Sequence, residues 1–193
     1  MVKVQQPADP WQRTTTEHGL AADEVISALQ KCLRRSMLDN ALLLAWEMYV
    51  TSPELEDKLW SRLCVIAVED IGLGNPQAPV LIETLYQQHQ RYDRPTGDRF
   101  LFAAHAIRVL ATSAKDRTSD DMVNWAKQAV SLGERLPEIP DFALDMHTRR
   151  GQEMGRDYRF FMEEASKVVP EINDKDPRFR DWIIKALDEG RLS

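Results

Sequence analysis

Apolar residues recur along this chain at intervals of three and four, and the polar positions between them mark a succession of amphipathic helices. Val25, Ile26, Leu29 and Leu33 share one face of a first helix. Arg34 and Arg35 fall near its C-terminus, where positive charge suits the helix dipole. A second helix begins near Asp39 or Asn40, either a suitable N-cap, and packs through Ala41, Leu42, Ala45, Met48 and Tyr49. Pro53 suits the first turn of a third, with a buried stripe of Leu55, Leu59, Leu63, Ile66 and Ala67. Asn75 as N-cap and Pro76 as first helical residue announce a fourth, which runs through Val80, Leu81, Leu85 and Gln88.

The stretch RPTGD (94–98) reads as a turn, and a fifth helix carries Phe100, Ala103, Ala104, Ile107, Leu110 and Ala111. Thr118 with Asp121 forms a capping box for a sixth, with Met122, Val123, Ala126, Ala129 and Val130 inside and Gly133 closing it. Two prolines keep residues 136–142 out of helix interior. A short helix around 158–168 and a final amphipathic one near 177–189 complete the pattern. No stretch alternates convincingly with period two, so the predicted fold class is all-α. Residues 1–18 are polar and hold Pro7 and Pro10; they read as a flexible tail with Trp11 able to dock. Residues 19–168 read as one helical domain, and 169–193 as a C-terminal helix packed on it.

Composition narrows the picture. A chain of 193 residues that is 43% hydrophobic can bury a proper core. Its net charge of −6 argues against general nucleic-acid affinity, so any such contact needs a local basic patch. Cys32 and Cys64 fall in apolar helical patterns and read as buried thiols of a reducing compartment. The opening residues lack the apolar run of a signal peptide, and ALLLAW (41–46) is too short to span a bilayer. These features predict a soluble, cytoplasmic protein with no membrane partner.

The chemistry centres on VIAVEDIGLGNPQAP (65–79), where Glu69 and Asp70 stand together before two glycines and a proline. Neighbours in a helix point about 100° apart, so the two acids are poorly placed to grip one metal ion. GLGNPQ lacks the third glycine of a dinucleotide fingerprint, and the chain has no phosphate-cradling GxxxxGK[ST]. Negative charge at a helix C-terminus opposes the dipole by up to about 1 kcal/mol, which calls for compensating cations. Arg62, Arg34 and Arg35 are the candidates. Glu69, Asp70, Gly72, Asn75 and Pro76 therefore read as a structural corner between two helices.

A second constellation is DMHTRRGQEMGRDYRF (145–160). His147, Arg149, Arg150, Arg156 and Arg159, interleaved with Tyr158, Phe160 and Phe161, could meet an anion or a nucleic-acid backbone. The competing reading pairs these arginines with Asp145, Glu153 and Asp157. Asp145 and His147 could also share a metal, which leaves open a small metal-dependent hydrolase or nuclease that also uses Glu69 or Asp70. His105 reads as a core or interface histidine, and the five tryptophans as core residues. The residues themselves call for no cofactor, no metal and no catalytic group.

DEVISALQKCLRRSMLDNALLLAWEMY followed by LWSRLCVIAVEDIGLGNPQAP resembles the C-terminal helical region of the replication-associated recombination protein A family, AAA+ ATPases related to clamp loaders. The likeness continues through LATSAKDRTSDDMVNWAKQA (110–129) and IPDFALDMHTRRGQEMGRDY (139–158). Its most specific part is Glu69-Asp70-Ile71-Gly72-Leu73 with Pro76. RRSMLD departs from the family's Gly-Ser-Asp-like turn, and the ATPase module is not expected in the short stretch upstream. The resemblance implies a collar-like helical fold, self-association as a homotetramer and a setting in DNA replication, recombination or repair. DNA or a separate AAA+ ATPase are the implied partners. It assigns no catalytic residue here.

Overall fold

The computed structural model describes residues 9–94 and 96–192. Among these the chain is helical, with no strand; the single β-bridge joins Thr15 to Ala21. The helices are α1 (Ala22–Arg34), α2 (Leu38–Thr51), α3 (Pro53–Ile66), α4 (Ala78–His89), α5 (Gly97–Thr112), α6 (Thr118–Ser131), α7 (Arg149–Glu153), α8 (Tyr158–Phe160) and α9 (Arg178–Asp188). They fall into two compact units that divide between Ser131 and Leu132. This division lies inside the stretch 19–168 read from the sequence as one domain.

In the first unit, α2 packs on α1, α3 and α5, and α4 packs on α5. The core they enclose includes Leu29, Leu33, Met48, Leu59, Trp60, Leu63, Ile66, Ile82, Ile107 and Leu110, all fully or almost fully buried. Most of these are the expected stripe residues. Three i, i+3 or i+4 steps along α3 carry Leu55, Leu59, Leu63 and Ile66 inward, and Ser52 caps that helix by accepting the Leu55 amide at 3.2 Å. α2 begins one residue before the expected cap, at Leu38 behind Met37, with no side-chain cap. α4 starts at Ala78, later than expected: Asn75 accepts the Gln77 amide through Oδ1 at 3.3 Å and the Ala78 amide through its carbonyl at 2.9 Å. Pro79, rather than Pro76, occupies its first turn.

Residues 1–8 of the expected tail lie outside the described residues. Residues 9–18 are anchored: Trp11 packs on the core, and His18 is held by Glu47, whose carboxylate accepts its amide at 2.9 Å and meets Nδ1 at 2.6 Å.

α6 departs most from expectation. Of its apolar residues only Ala129 is buried, whereas Met122, Val123, Trp125, Ala126 and Val130 are exposed. Its first amide is capped by Asp116, whose Oδ1 accepts both the amide (2.9 Å) and the hydroxyl (2.6 Å) of Thr118, so Thr118 is not itself the cap. Three tryptophans read as core, Trp46, Trp125 and Trp182, are exposed, and Trp60 is the fully buried one. His105 is exposed, while His89 is buried.

The second unit is smaller. Arg180 on α9 donates to the carbonyl of Met162 and to Ser166 Oγ (3.1 Å), and Arg159 bridges to Asp188 at 2.9 Å. Leu144, Met162, Ala186 and Leu187 are its buried apolar residues. The helix expected around 158–168 is α8 running into a wider π turn, Phe161–Ala165.

Candidate functional site

α3 does not end cleanly at Ile66. It widens into a π turn, Ala67–Ile71, that carries Glu69 and Asp70, and Gly72 then reverses the chain at φ +49°. π turns concentrate at functional or strained positions because they re-aim side chains out of helical register. Here they aim the two acids at a shared set of donors. Asp70 is fully buried; its Oδ1 accepts from Arg34 Nε and from Arg117 Nη1 (2.7 Å), and its Oδ2 accepts from Gln30 Nε2 (3.0 Å). Glu69 Oε1 accepts from the same two arginines, Arg34 Nη2 at 3.0 Å and Arg117 Nη1 at 3.2 Å. The broad, planar guanidinium fork lets one cation serve two carboxylates on adjacent residues.

The node extends outward on both sides. Arg62 donates to Gln30 Oε1, which fixes the amide that feeds Asp70. Arg117 Nη2 also meets Asp120 on α6. Of the three expected cations, Arg34 binds the acids directly and Arg62 acts through Gln30, while Arg35 takes no part among the described contacts. Arg117 is the partner that sequence reasoning missed.

Backbone contacts close the corner. Asp116 donates its amide to the Asp70 carbonyl (3.1 Å), and its carboxylate accepts the Leu73 amide (3.1 Å). Asn75 Nδ2 reaches Ser113 Oγ at 3.0 Å. Lys115 folds back to donate to the carbonyls of Leu110 (2.8 Å), Ala111 (3.2 Å) and Ser113 (2.6 Å), and so caps the C-terminus of α5. The segments 70–75 and 113–117 approach so closely that a Cβ on Gly72 would lie 2.6 Å from the Asp116 carbonyl oxygen, and one on Gly74 2.4 Å from that of Ala114. Gly74 is required by proximity, and Gly72 by proximity and by its positive φ.

Electrostatics fix the protonation states. Burial alone would raise the Asp70 pKa, but hydrogen bonds from Arg34, Gln30 and Arg117 outweigh it and hold the carboxyl below its ordinary range. The bond that Arg117 donates to Asp70 raises the arginine's own pKa. Burial lowers Lys115. Asp70 is thus locked as an anion with both oxygens engaged. It is not poised as a base, and two arginines already neutralise it.

The basic segment lies in the second unit, and its charges are mostly answered at home. Arg156 Nη2 donates to both carboxylate oxygens of Asp141 (2.6 and 2.7 Å), Nη1 donates to the Leu144 carbonyl (2.9 Å), and the guanidinium sits 4.2 Å from the centre of the Phe160 ring. Arg159 meets Glu163 (2.8 Å) and Asp188 (2.9 Å), and Arg149 meets Glu153 at 3.5 Å. Asp145 accepts the His147 amide (2.9 Å) and faces its Nδ1 (3.0 Å); those bonds keep Asp145 below the ordinary aspartate range. Arg150 is exposed and in no ion pair among the described residues. Among those residues no group of three or more His, Cys, Asp or Glu is placed to hold a metal. The Asp145–His147 pair and the Glu69–Asp70 pair belong to different units, and the hydrolase reading gains no support.

With this geometry in view, the comparison with known proteins is decisive at the family level. A family model described as MgsA AAA+ ATPase C terminal matches residues 36–176. The chain belongs to that family. It is similar to Replication-associated recombination protein A of Bacillus subtilis, 32% identical over 144 residues that make up 74% of this chain and 33% of the relative. It is similar to the protein of that name from Haemophilus influenzae at 28% over 167 residues, 82% of this chain and 35% of the relative. The chain spans about a third of the length of these relatives. The corner and the basic segment both fall inside the region matched to the MgsA family. The resemblance stated from the EDIGLG block thus holds, and the all-α fold is that of the family's helical C-terminal region.

Proposed function

We propose that this chain is a non-catalytic, self-associating helical module that works as an assembly platform in DNA replication and recombination, beside an AAA+ ATPase. The observation that carries the reading is the outer face of α6. Met122 and Trp125 are each 62% exposed, and Val123 and Val130 lie on the same helix, in a protein otherwise rich in charge. Contiguous exposed apolar surface of this kind marks an interface, and a two-fold or four-fold assembly of identical copies buries it at no cost in additional sequence. The family supports the setting, and the resemblance to its collar supports a tetramer.

The Asp70 node serves this function by rigidity. α6 leaves the core through Arg117 and Asp120, both tied to the node, so the angle at which its apolar face is presented is set by buried charge. Nucleic-acid contact in this reading falls to the exposed side chains His147, Arg149 and Arg150, the first two lightly tethered to Asp145 and Glu153, while Arg156 and Arg159 are held more fully by local acids.

The test is the mass of the purified chain in solution, with and without single-stranded DNA. The reading expects a multiple of the chain mass without DNA, and a further shift with DNA that Arg149→Glu with Arg150→Glu removes. A monomer at all concentrations overturns assembly, and a shift unaffected by charge reversal overturns the DNA contact.

A further inference from the structure

α3 and α4 leave between them a surface cavity of about 230 Å³, lined by Asp57, Trp60, Ser61, Cys64, Glu83 and Tyr86. The lining follows helical spacing: 57, 60, 61 and 64 form one stripe of α3, and 83 and 86 one stripe of α4. Trp60 and Tyr86 lie 5.7 Å apart between ring centroids, with their planes at 57°. Asp57 and Glu83 are exposed, one from each helix, and neither forms an ion pair among the described residues; Glu83 accepts only from the Gln87 amide at 2.7 Å. One residue away, Glu56 is saturated by Arg94 (2.9 Å) and Arg99 (2.7 Å). The two carboxylates of the cavity therefore carry uncompensated charge beside the half-buried ring of Tyr86, while the same helix neutralises its buried acid.

We propose that this cavity binds an arginine side chain presented by a protein partner. A guanidinium is planar and weakly hydrated, so it can lie along an aromatic wall and still donate from its edges to carboxylates on opposite sides. An ammonium offers no such plane, and a neutral side chain leaves both acids unpaired. Cys64 belongs to the lining and is half-buried; burial, and after it the Glu83 charge, raise its thiol pKa, which accords with Glu83 facing the same space.

Cys64 also provides the readout. Its alkylation by iodoacetamide is followed by mass spectrometry on the full chain, with buried Cys32 as internal reference. Nα-acetyl-argininamide is expected to slow Cys64 alkylation several-fold, and the isosteric Nα-acetyl-citrullinamide to leave it unchanged. Asp57→Asn with Glu83→Gln should abolish the protection while Cys32 stays unreactive and the helical circular dichroism is retained. If that pair fails to fold, the single variants, each expected to weaken protection, replace it. No protection by the arginine compound, equal protection by the citrulline compound, or protection undiminished in the variants would overturn the assignment.

Discussion

Arg117 Nη1 donates to Asp70 Oδ1 at 2.7 Å across 47 residues of chain, and this bond joins the start of α6 to the end of α3. It belongs to a node in which one buried aspartate draws donors from α1 and from the segment before α6. A buried anion with its cations in place stabilises little relative to an apolar substitute, but removing one partner strands the rest. Asp70→Ala is therefore expected to cost about 3 kcal/mol in urea unfolding, toward the low end for broken buried pairs because both arginines are partly solvated. Glu69→Gln, at the wetter edge, should cost under about 1 kcal/mol.

The node also sets acid stability. Asp70 has its pKa depressed below the ordinary 3.8, so its contribution is complete above that value and is lost as pH falls through the folded-state pKa. The stability gap between wild type and Asp70→Asn, measured by denaturant titration, should close as the pH is lowered below about 4. A gap constant with pH would mean the carboxylate is not held ionised.

A second titration lies nearer neutrality. His89 is buried between Trp60 and Tyr86, its Nδ1–H donates to the Tyr86 carbonyl, and its Nε2 accepts from Arg99 at 3.3 Å. Burial, with Arg99 nearby, lowers its pKa from 6.5. The unfolded chain takes up a proton first, so stability declines as pH drops below 6.5 and levels off below the folded value. His89→Gln should flatten that portion of the stability curve.

Glycine substitutions separate proximity from conformation. Gly74→Ala drives a Cβ against the Ala114 carbonyl and should cost about 2 kcal/mol or more, a cost of the overpacking kind. Gly72→Ala adds an unfavourable positive φ to its own clash. Gly97→Ala opens onto empty space at the first residue of α5 and should be neutral or stabilising by about 0.5 kcal/mol.

Much of this was legible in the sequence, and what was not has physical reasons. The stripes of α1, α3 and α5 were readable because each buries one face against neighbours on a common core. The same periodicity in α6 gave its amphipathic face but not its surroundings, since a pattern of apolar positions cannot say whether the partner lies in the same chain. The expectation of a corner at Glu69 and Asp70 rested on dipole arguments, which also called for cations. Choosing among the arginines required the fold: Arg34, Arg35 and Arg62 all sit near in sequence or on an apposed helix, and Arg117 had no local signal. His89 reads from the sequence as a scattered histidine because its stretch, LYQQHQRY, is polar, although i, i+3 and i+4 steps from Ile82 and Leu85 do lead to it. In the basic segment the expected partners of the arginines were Asp145, Glu153 and Asp157; of these only Glu153 meets one, Arg149, while Asp141 takes Arg156, and Glu163 and Asp188 take Arg159.

The exposed face of α6 carries the proposal of assembly, and sedimentation equilibrium on wild type and on Met122→Asp with Val130→Asp examines it most directly. The account expects wild type to sediment as an oligomer and the variant as a monomer with unchanged helical content, since neither side chain contributes to the core. A monomeric wild type, or a variant that associates as tightly as wild type, would contradict it.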